Sequence, residues 1–333
     1  MSVNGFMLKH IRVVPLAAES LGVRSMCCLV ESPDIRILLD AGVSLCPNRF
    51  GLVPHPLEYQ AIIKCRARIA KEAEGAEVVT VSHYHYDHYT PSFEDWLCNW
   101  TEEEETSRQI YQDKTVIAKN PREKINFSQR RRGWLFKKTI SEYARSFEIA
   151  DGRSFTFGRT ILKFSEPVFH GSENSPMGWV LMTTIEYEGE KFLHAPDVQG
   201  PISQVTLEMI LGIKPNLAMI GGPPLYLAGF RVPEEEIQHA LKNIERIVEN
   251  VPAVVLEHHM LRDEGWREKA VKIFEAAEQA GHKVLTAAEL AGERNTLLEA
   301  ARKRLYAENP PSREFERWMR SNRTGKRRAK PPL

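Results

Sequence analysis

The sequence predicts a layered α/β protein, with sheets inside and helices outside. Strand-like apolar runs, punctuated by turn residues, dominate as far as Leu193. Helical and strand patterns alternate from Ser203 onward. That order is expected of sheet layers covered by helices. The chain has 333 residues, 42% of them hydrophobic. Its folded surface should be about 14,000 Å² against about 55,000 Å² unfolded, so about 75% can be buried. A core of that size needs no disulfide or metal staple. With 27% charged and 9% aromatic residues, wholesale disorder is excluded.

Met26–Glu31 and residues 35–39 read as a strand pair around Ser32, Pro33 and Asp34. Asp40, Ala41 and Gly42 end the second strand, and a loop follows with Pro47, Gly51, Pro54 and Pro56. Residues 57–74 carry Ile62, Ile63 and Ile69 at helical spacing, with Gly75 as the stop. Val78–Val81 is a short apolar strand. Residues 95–150 are longer than a connection should be and read as an insertion on the core. They hold an acidic run, a strand at 115–118 and a basic, partly helical stretch. Short strands punctuated by Gly158, Gly171 and Gly189 follow. Then come apolar strands at 217–220 and 253–256, and helices at 233–249 and 266–280.

No apolar run approaches the ~20 residues that span a bilayer. Residues 1–11 lack the apolar segment of a signal peptide. Cys27, Cys28, Cys46, Cys65 and Cys98 are odd in number and show no CxxC spacing. They read as buried thiols in a reducing cytoplasm, without a disulfide framework. The net charge of +1 is a cancellation. From Arg302 to the end there are 11 basic and 3 acidic residues, net +8, which leaves 34 basic and 41 acidic, net −7, in the body. The last stretch, from Arg323, reads as a frayed basic tail, either a solubilising end or an arm for polyanions.

The chemistry lies in the histidines. His83-Tyr-His85-Tyr-Asp87-His88 follows the 78–81 strand directly. Residues two apart on an extended strand end point the same way, so His83 and His85 can share one metal. Asp87 and His88 follow in the turn and can aim at a second. Imidazole and carboxylate ligands suit Zn²⁺, and also Fe or Mn. A solvated triple-histidine loop has little purely structural purpose.

This His-x-His-x-Asp-His run after an apolar strand resembles the signature of the metallo-β-lactamase superfamily, and further motifs match in order. Asp40, His170, Asp197 and His258 or His259 stand where that resemblance expects an aspartate at a strand end, a third-motif histidine, a metal-bridging carboxylate and a last histidine. A closer likeness, on residues 16–25 and 258–263, is to an uncharacterised archaeal-type hydrolase family within that superfamily. The resemblance implies a four-layer αββα sandwich with an inserted segment and a C-terminal helical, basic extension. It implies a catalytic domain over 1–292 and an extension over 293–333. It also implies two divalent metals, with Zn favoured over Fe or Mn. One would take His83, His85 and His170, and the other Asp87, His88 and the last histidine, with Asp197 between them. Two metals roughly 3.5–4 Å apart lower the pKa of a bridging water and polarise the scissile bond. Asp87 would help to orient that nucleophile, and Asp40 would hydrogen-bond beside the metal loop. His258, directly after its strand, is favoured over His259 as the last ligand.

Three loops can shape the pocket. They are 44–56 with Arg49, 171–178 with Asn174, and 221–226 with Tyr226, so Arg49, Asn174 and Tyr226 are the candidate substrate contacts. His55 is a further candidate, whereas His194 reads as buried support. Residues 129–138 hold five basic side chains with Trp134 and Phe136. They read as a polyanion grip, or as a helix whose two aromatics pack inward. The expected activity is metal-dependent hydrolysis of an ester-type bond in a small molecule or nucleic acid, with a phosphodiester first. A lactone, thioester or carboxylic ester hydrolase is the second reading. A metal-containing nucleic-acid-binding protein without turnover is the third. No membrane partner is expected, the compartment is cytoplasmic, and a homo-oligomer is compatible with the sequence.

Overall fold

A computed structural model describes residues 6–333 apart from Asn174. Its first sheet holds seven strands in sequence order: β1 (Phe6–Met7), β2 (Arg12–Ala18), β3 (Met26–Glu31), β4 (Arg36–Leu39), β5 (Val78–Val81), β6 (Thr115–Ala118) and β7 (Ser146–Ile149). Neighbours are antiparallel from β1 to β4 and parallel from β4 to β7. The following strands are β8 (Ser154–Phe157), β9 (Thr160–Phe164), the small β10–β11 ribbon (Val168–Phe169 and Trp179–Val180), β12 (Thr183–Tyr187), β13 (Glu190–Ala195), β14 (Leu217–Gly221), β15 (Ala253–Glu257) and β16 (Lys283–Leu285). Apart from the ribbon they form the second sheet, in the order β16-β15-β14-β13-β12-β9-β8. It repeats the plan of the first: antiparallel from β8 to β13, parallel from β13 to β16.

The two sheets pack face to face. One apolar cluster joins Ile37 and Val79 of the first sheet to Leu162, Ile185 and Met219 of the second. Helices cover the outer faces. α1 (Pro56–Gly75) turns Tyr59, Ile62, Ile69 and Ala73 inward at three- and four-residue spacing. His55 caps its start, with Glu58 closing a capping box. His55 also bonds the Asn309 carbonyl through Nε2 at 2.8 Å, so its ring is used structurally. α2 (Glu103–Tyr111) and α3 (Phe127–Ile140) link β5, β6 and β7. α4 (Gln204–Ile213), α5 (Glu234–Asn250), α6 (Trp266–Lys269) and α7 (Val271–Ala280) belong to the second half. Ile210, Ile244 and Ile273 from α4, α5 and α7 build a second apolar cluster with Ala218 and Val254. This is the αββα sandwich that the resemblance implies.

Two expectations need correction. Residues 95–150, read as an insertion, supply β6 and β7, so they continue the first sheet instead of decorating it. β7 escapes a hydrophobicity reading because all four of its residues are only half-buried. The basic end is not frayed either. After α8 (Ala287–Leu290), the helices α9 (Leu298–Glu308), α10 (Arg313–Met319) and α11 (Arg323–Arg328) fold back on the body. Arg302 is fully buried in a two-pronged ion pair with Glu58, both bonds 2.7 Å. Phe315 and Trp318 pack on Tyr59. The Arg327 carbonyl accepts from Trp96 N at 2.8 Å, and Lys330 lies over the Trp96 ring.

Candidate metal centre

The site forms where the parallel strands of both sheets end at their carboxyl sides, the usual place for a ligand in open α/β sheets. Asp40 follows β4, His83 follows β5, Asp197 follows β13 and His258 follows β15. Asp40, Asp197 and His258 have φ of 46°, 52° and 67°. This left-handed backbone costs energy for residues with a Cβ and is held where surroundings over-determine it. Gly42 permits the metal loop to lie close, since a Cβ there would stand 2.1 Å from Tyr89 N. Gly221 does the same for the Asp197 turn, with a Cβ 2.7 Å from Asp197 N. That glycine serves the protein's own backbone.

Asp197 is the hub. Its Oδ2 lies 3.0 Å from His83 Nε2, 3.0 Å from His170 Nε2, 3.2 Å from His88 Nε2 and 3.8 Å from His85 Nδ1. Its Oδ1 lies 2.9 Å from His258 Nε2 and 3.0 Å from His259 Nε2. Asp87 Oδ2 stands 3.6 Å from His258 Nε2. Two adjacent ligand groups emerge: His83, His85, His170 and Asp197, and Asp87, His88 and His258. Asp197 also groups with His258 and His259. All eight expected ligands therefore meet in one place.

The side chains behind them orient the rings. Asp40, fully buried, accepts from Ser82 N at 2.8 Å, from Ser82 Oγ at 2.5 Å and from His88 Nδ1 at 2.8 Å. Ser82 Oγ is thereby committed as a donor, so His83 Nδ1, 3.0 Å away, donates to it. Glu19 takes His258 Nδ1 at 2.9 Å and Arg262 at 2.6 and 2.8 Å. In His83, His88 and His258 the anchored Nδ1 carries a proton, so Nε2 is the nitrogen turned to the centre. Burial lowers His88 and His258, but Asp197 and Asp40 raise His88 well above the ordinary histidine range, and Glu19 and Asp197 raise His258 to about 9. Those two rings therefore hold a second proton on Nε2 that a metal must displace. His259 is reversed: Arg262 Nη1, which can only donate, meets its Nδ1 at 2.9 Å.

Burial first, and then neighbouring histidines, push His83 well below the ordinary histidine range. Burial first, and then Arg262, does the same to His259. His85 is lowered to about 4, chiefly by burial. These rings are neutral, the form that binds metal. Burial pushes the Asp197 carboxyl up, but His258, His170 and His88 outweigh it and hold it well below the carboxylate range. His88 Nε2, His170 Nε2 and Asp197 Oδ1 are buried without an aligned hydrogen-bond partner. Buried orphaned acceptors converging on one spot are what divalent cations satisfy. The donor set fits a dinuclear site, and its all-imidazole and carboxylate chemistry admits Zn, Fe or Mn.

One side is open. His85, Asp87 and His259 keep 14–16% of their side-chain surface exposed, toward a pocket of about 330 Å³. Five arginines line that pocket: Arg24, Arg132, Arg262, Arg323 and Arg327. Arg24 is paired with Glu299 and Arg262 with Glu19. The expected substrate contacts fare differently. The Arg49 guanidinium lies 4.1 Å from the Tyr226 ring centre and donates to the Arg262 carbonyl at 3.1 Å. Those two residues thus serve each other and brace Arg262, and neither is among the described residues lining the pocket. Asn174 lies outside the described residues. His194 is buried on the Met26 carbonyl at 2.9 Å. Glu19 is the functional residue that motif spacing does not reveal, although a glutamate within the mostly apolar run 16–21 signals a buried charge that needs partners.

No protein-family model matches the chain. Two solved structures resemble it weakly. Unliganded yeast PDE1 is 10% identical, covering 84% of this chain and 99% of its own, with a TM-score of 0.46. CmlA of Streptomyces venezuelae, a diiron β-hydroxylase, is 12% identical, covering 84% of this chain and 53% of its own, also at 0.46. Both scores fall below one half, so neither adds to what the topology and ligand groups establish. Sequence relatives are much nearer. The UPF0282 protein of Methanocaldococcus jannaschii is 40% identical over 296 residues, 89% of this chain and 96% of its own. That of Pyrobaculum islandicum is 43% identical over 297 residues, 89% and 94%. That of Methanopyrus kandleri is 42% identical over 301 residues, 90% of this chain and the whole of its own. With such identity along nearly its full length, the chain belongs to the UPF0282 family.

Proposed function

We propose that the protein is a metal-dependent hydrolase acting on a phosphodiester-type ester. The observation that carries this reading is the joining of a two-metal ligand set to an arginine-lined mouth in one pocket. Guanidinium forks match phosphate oxygens two at a time. Arg24 and Arg262 are spent on Glu299 and Glu19, which leaves Arg132, Arg323 and Arg327, the last with a 3.9 Å contact to Asp95, to meet a substrate anion. A neutral lactone or thioester has no use for them. When bound, two divalent metals supply Lewis acidity toward the substrate oxygen and favour a water nucleophile at neutral pH.

The remaining roles belong to side chains. Asp87 faces the pocket and can accept a hydrogen bond from the attacking water. Asp40 and Ser82 hold His88 and His83 so that Nε2 faces inward. Glu19 holds His258 in the ligating tautomer, so His258 is the last metal ligand. Arg262 leaves the His259 proton on Nε2, 3.0 Å from Asp197 Oδ1 at the inner edge of the pocket. With Asp197 engaged by metal, that N–H would be free to donate to substrate, and His259 offers no lone pair to metal. Arg323 and Arg327 close the mouth from the C-terminal helices and bind phosphate oxygens.

Turnover of bis(p-nitrophenyl) phosphate by metal-reconstituted protein tests the reading. Activity that disappears in Asp87→Ala supports it. Hydrolysis of lactones or thioesters with no phosphodiester turnover would refute the substrate class. Less than one metal per chain after reconstitution would refute the centre itself.

A further inference from the structure

We propose that α3 carries a docking groove for single-stranded nucleic acid beside the metal pocket, an inference that rests on the phosphodiester reading. Arg130, Arg131, Trp134, Lys137 and Lys138 fall on one face of the helix, at spacings of one, four, seven and eight. With Phe127 they line a groove of about 860 Å³, whose far wall is the 120–123 turn and Ile149. Trp134 is 56% exposed and Phe127 83% exposed.

This exposure is not loose packing. The opposite face of α3 is fully engaged. Gln129 accepts from Tyr84 N at 3.0 Å and donates to the Met177 carbonyl at 2.8 Å. Gly133 lies so close to the Tyr84 ring that a Cβ would stand 2.5 Å from it. Phe136 is buried in the core. Of the two aromatics expected to pack inward, only Phe136 does. Trp134 is left on the surface with the Lys138 ammonium 5.5 Å from its ring centre. Large aromatics held in water among cations mark a binding surface.

Five basic side chains line the groove against one acid, Glu123. Flat rings offer a stacking platform to any base, and the cations track the phosphates. Two features favour a strand over a membrane surface. The groove is concave, with a second wall, whereas a bilayer needs a protruding wedge. The same helix also reaches the metal pocket: Arg132 lines it and stacks on Tyr86, while Gln129 grips Met177 of its rim. A chain seated on α3 is therefore separated from the pocket wall at Arg132 by about one helix width, 10–12 Å.

The test is fluorescence anisotropy of a fluorescein-labelled 20-nucleotide polyuridine with the full-length protein, between 50 and 200 mM salt. Binding should weaken with salt at a log–log slope of about −3 if roughly four phosphates are neutralised. Trp134→Ala should weaken it by about five- to a hundredfold. Arg131→Glu with Lys138→Glu should weaken it and flatten the slope by about 1.4. Circular dichroism would confirm that each variant is folded. Bis(p-nitrophenyl) phosphate turnover should be unchanged in all of them, because none of these residues lines the metal pocket. No binding at 50 mM salt, or binding indifferent to both variants, would overturn the groove. So would capture by phosphatidylserine vesicles without capture of polyuridine. The two claims fail separately. Polyuridine binding without ester turnover sinks the hydrolase reading alone, and turnover without polyuridine binding sinks the groove alone.

Discussion

Glu19 Oε2 lies 2.9 Å from His258 Nδ1, although the two are 239 residues apart. Its other oxygen takes two nitrogens of Arg262. One buried carboxylate thus fixes the orientation of a ligand ring and neutralises the guanidinium beside it. Glu19→Gln keeps the shape but loses the charge. Partners of this kind tune metal affinity by about ten- to a hundredfold. We expect one of two metal sites to weaken by that factor, read by calorimetric titration. Glu19→Ala should cost more, about 3–5 kcal/mol of stability, because it strands the Arg262 charge in the interior.

The neighbours His258 and His259 should part company on mutation. His258→Ala is expected to lose about one metal per chain by elemental analysis. His259→Ala is expected to keep its metals and lose turnover, by about a hundredfold if its Nε2 proton serves the leaving group. Equal metal loss from both would refute the opposite tautomers that Glu19 and Arg262 impose.

Arg323 and Arg327 reach the pocket from the C-terminal helices. Arg323→Ala and Arg327→Ala should raise KM for phosphodiesters by about tenfold each, for a charge-assisted bond worth roughly 1.5 kcal/mol. Because neither touches the ligand set, kcat and metal content should change little. A fall in kcat at constant KM would argue against a binding role.

Stability should respond to acid through the Arg24–Glu299 pair, whose two bonds are each 2.6 Å. Burial would raise the Glu299 carboxyl, but Arg24 and then Arg262 and Arg302 hold it well below its ordinary value. A carboxyl depressed in the folded state contributes stability above its unfolded pKa of about 4.3 and loses it as pH falls. Urea midpoints should therefore drop between pH 6 and pH 3. In Glu299→Gln the midpoint should start lower at pH 6 and fall less steeply.

The Arg302–Glu58 pair joins α9 to α1. Arg302→Ala should destabilise by about 3–5 kcal/mol, since it leaves the Glu58 charge buried with the His55 N–H but no cation beside it. Replacing both, with Arg302→Met and Glu58→Leu, should recover most of that loss. Thermal denaturation of the three proteins decides it.

The sequence by itself determined the sheets, the outer helices and the ligand types. Strand periodicity and helical spacing are local, and His83, His85, Asp87 and His88 sit within one turn. Asp40, His170, Asp197 and His258 announce themselves at strand ends, where chemistry collects. Tertiary structure decided what lies between distant segments. It made residues 95–150 part of the sheet, because half-buried β7 pairs by backbone bonds that carry no hydrophobic signature. It turned a basic end into a pocket wall, because Phe315, Trp318 and Arg302 dock on α1. It spent Arg49 and Tyr226 on each other. It also gave His258 and His259 different partners at Nδ1, the feature on which the proposed division of their roles rests. Those partners, Glu19 and Arg262, meet only when residues 19 and 262 are folded side by side.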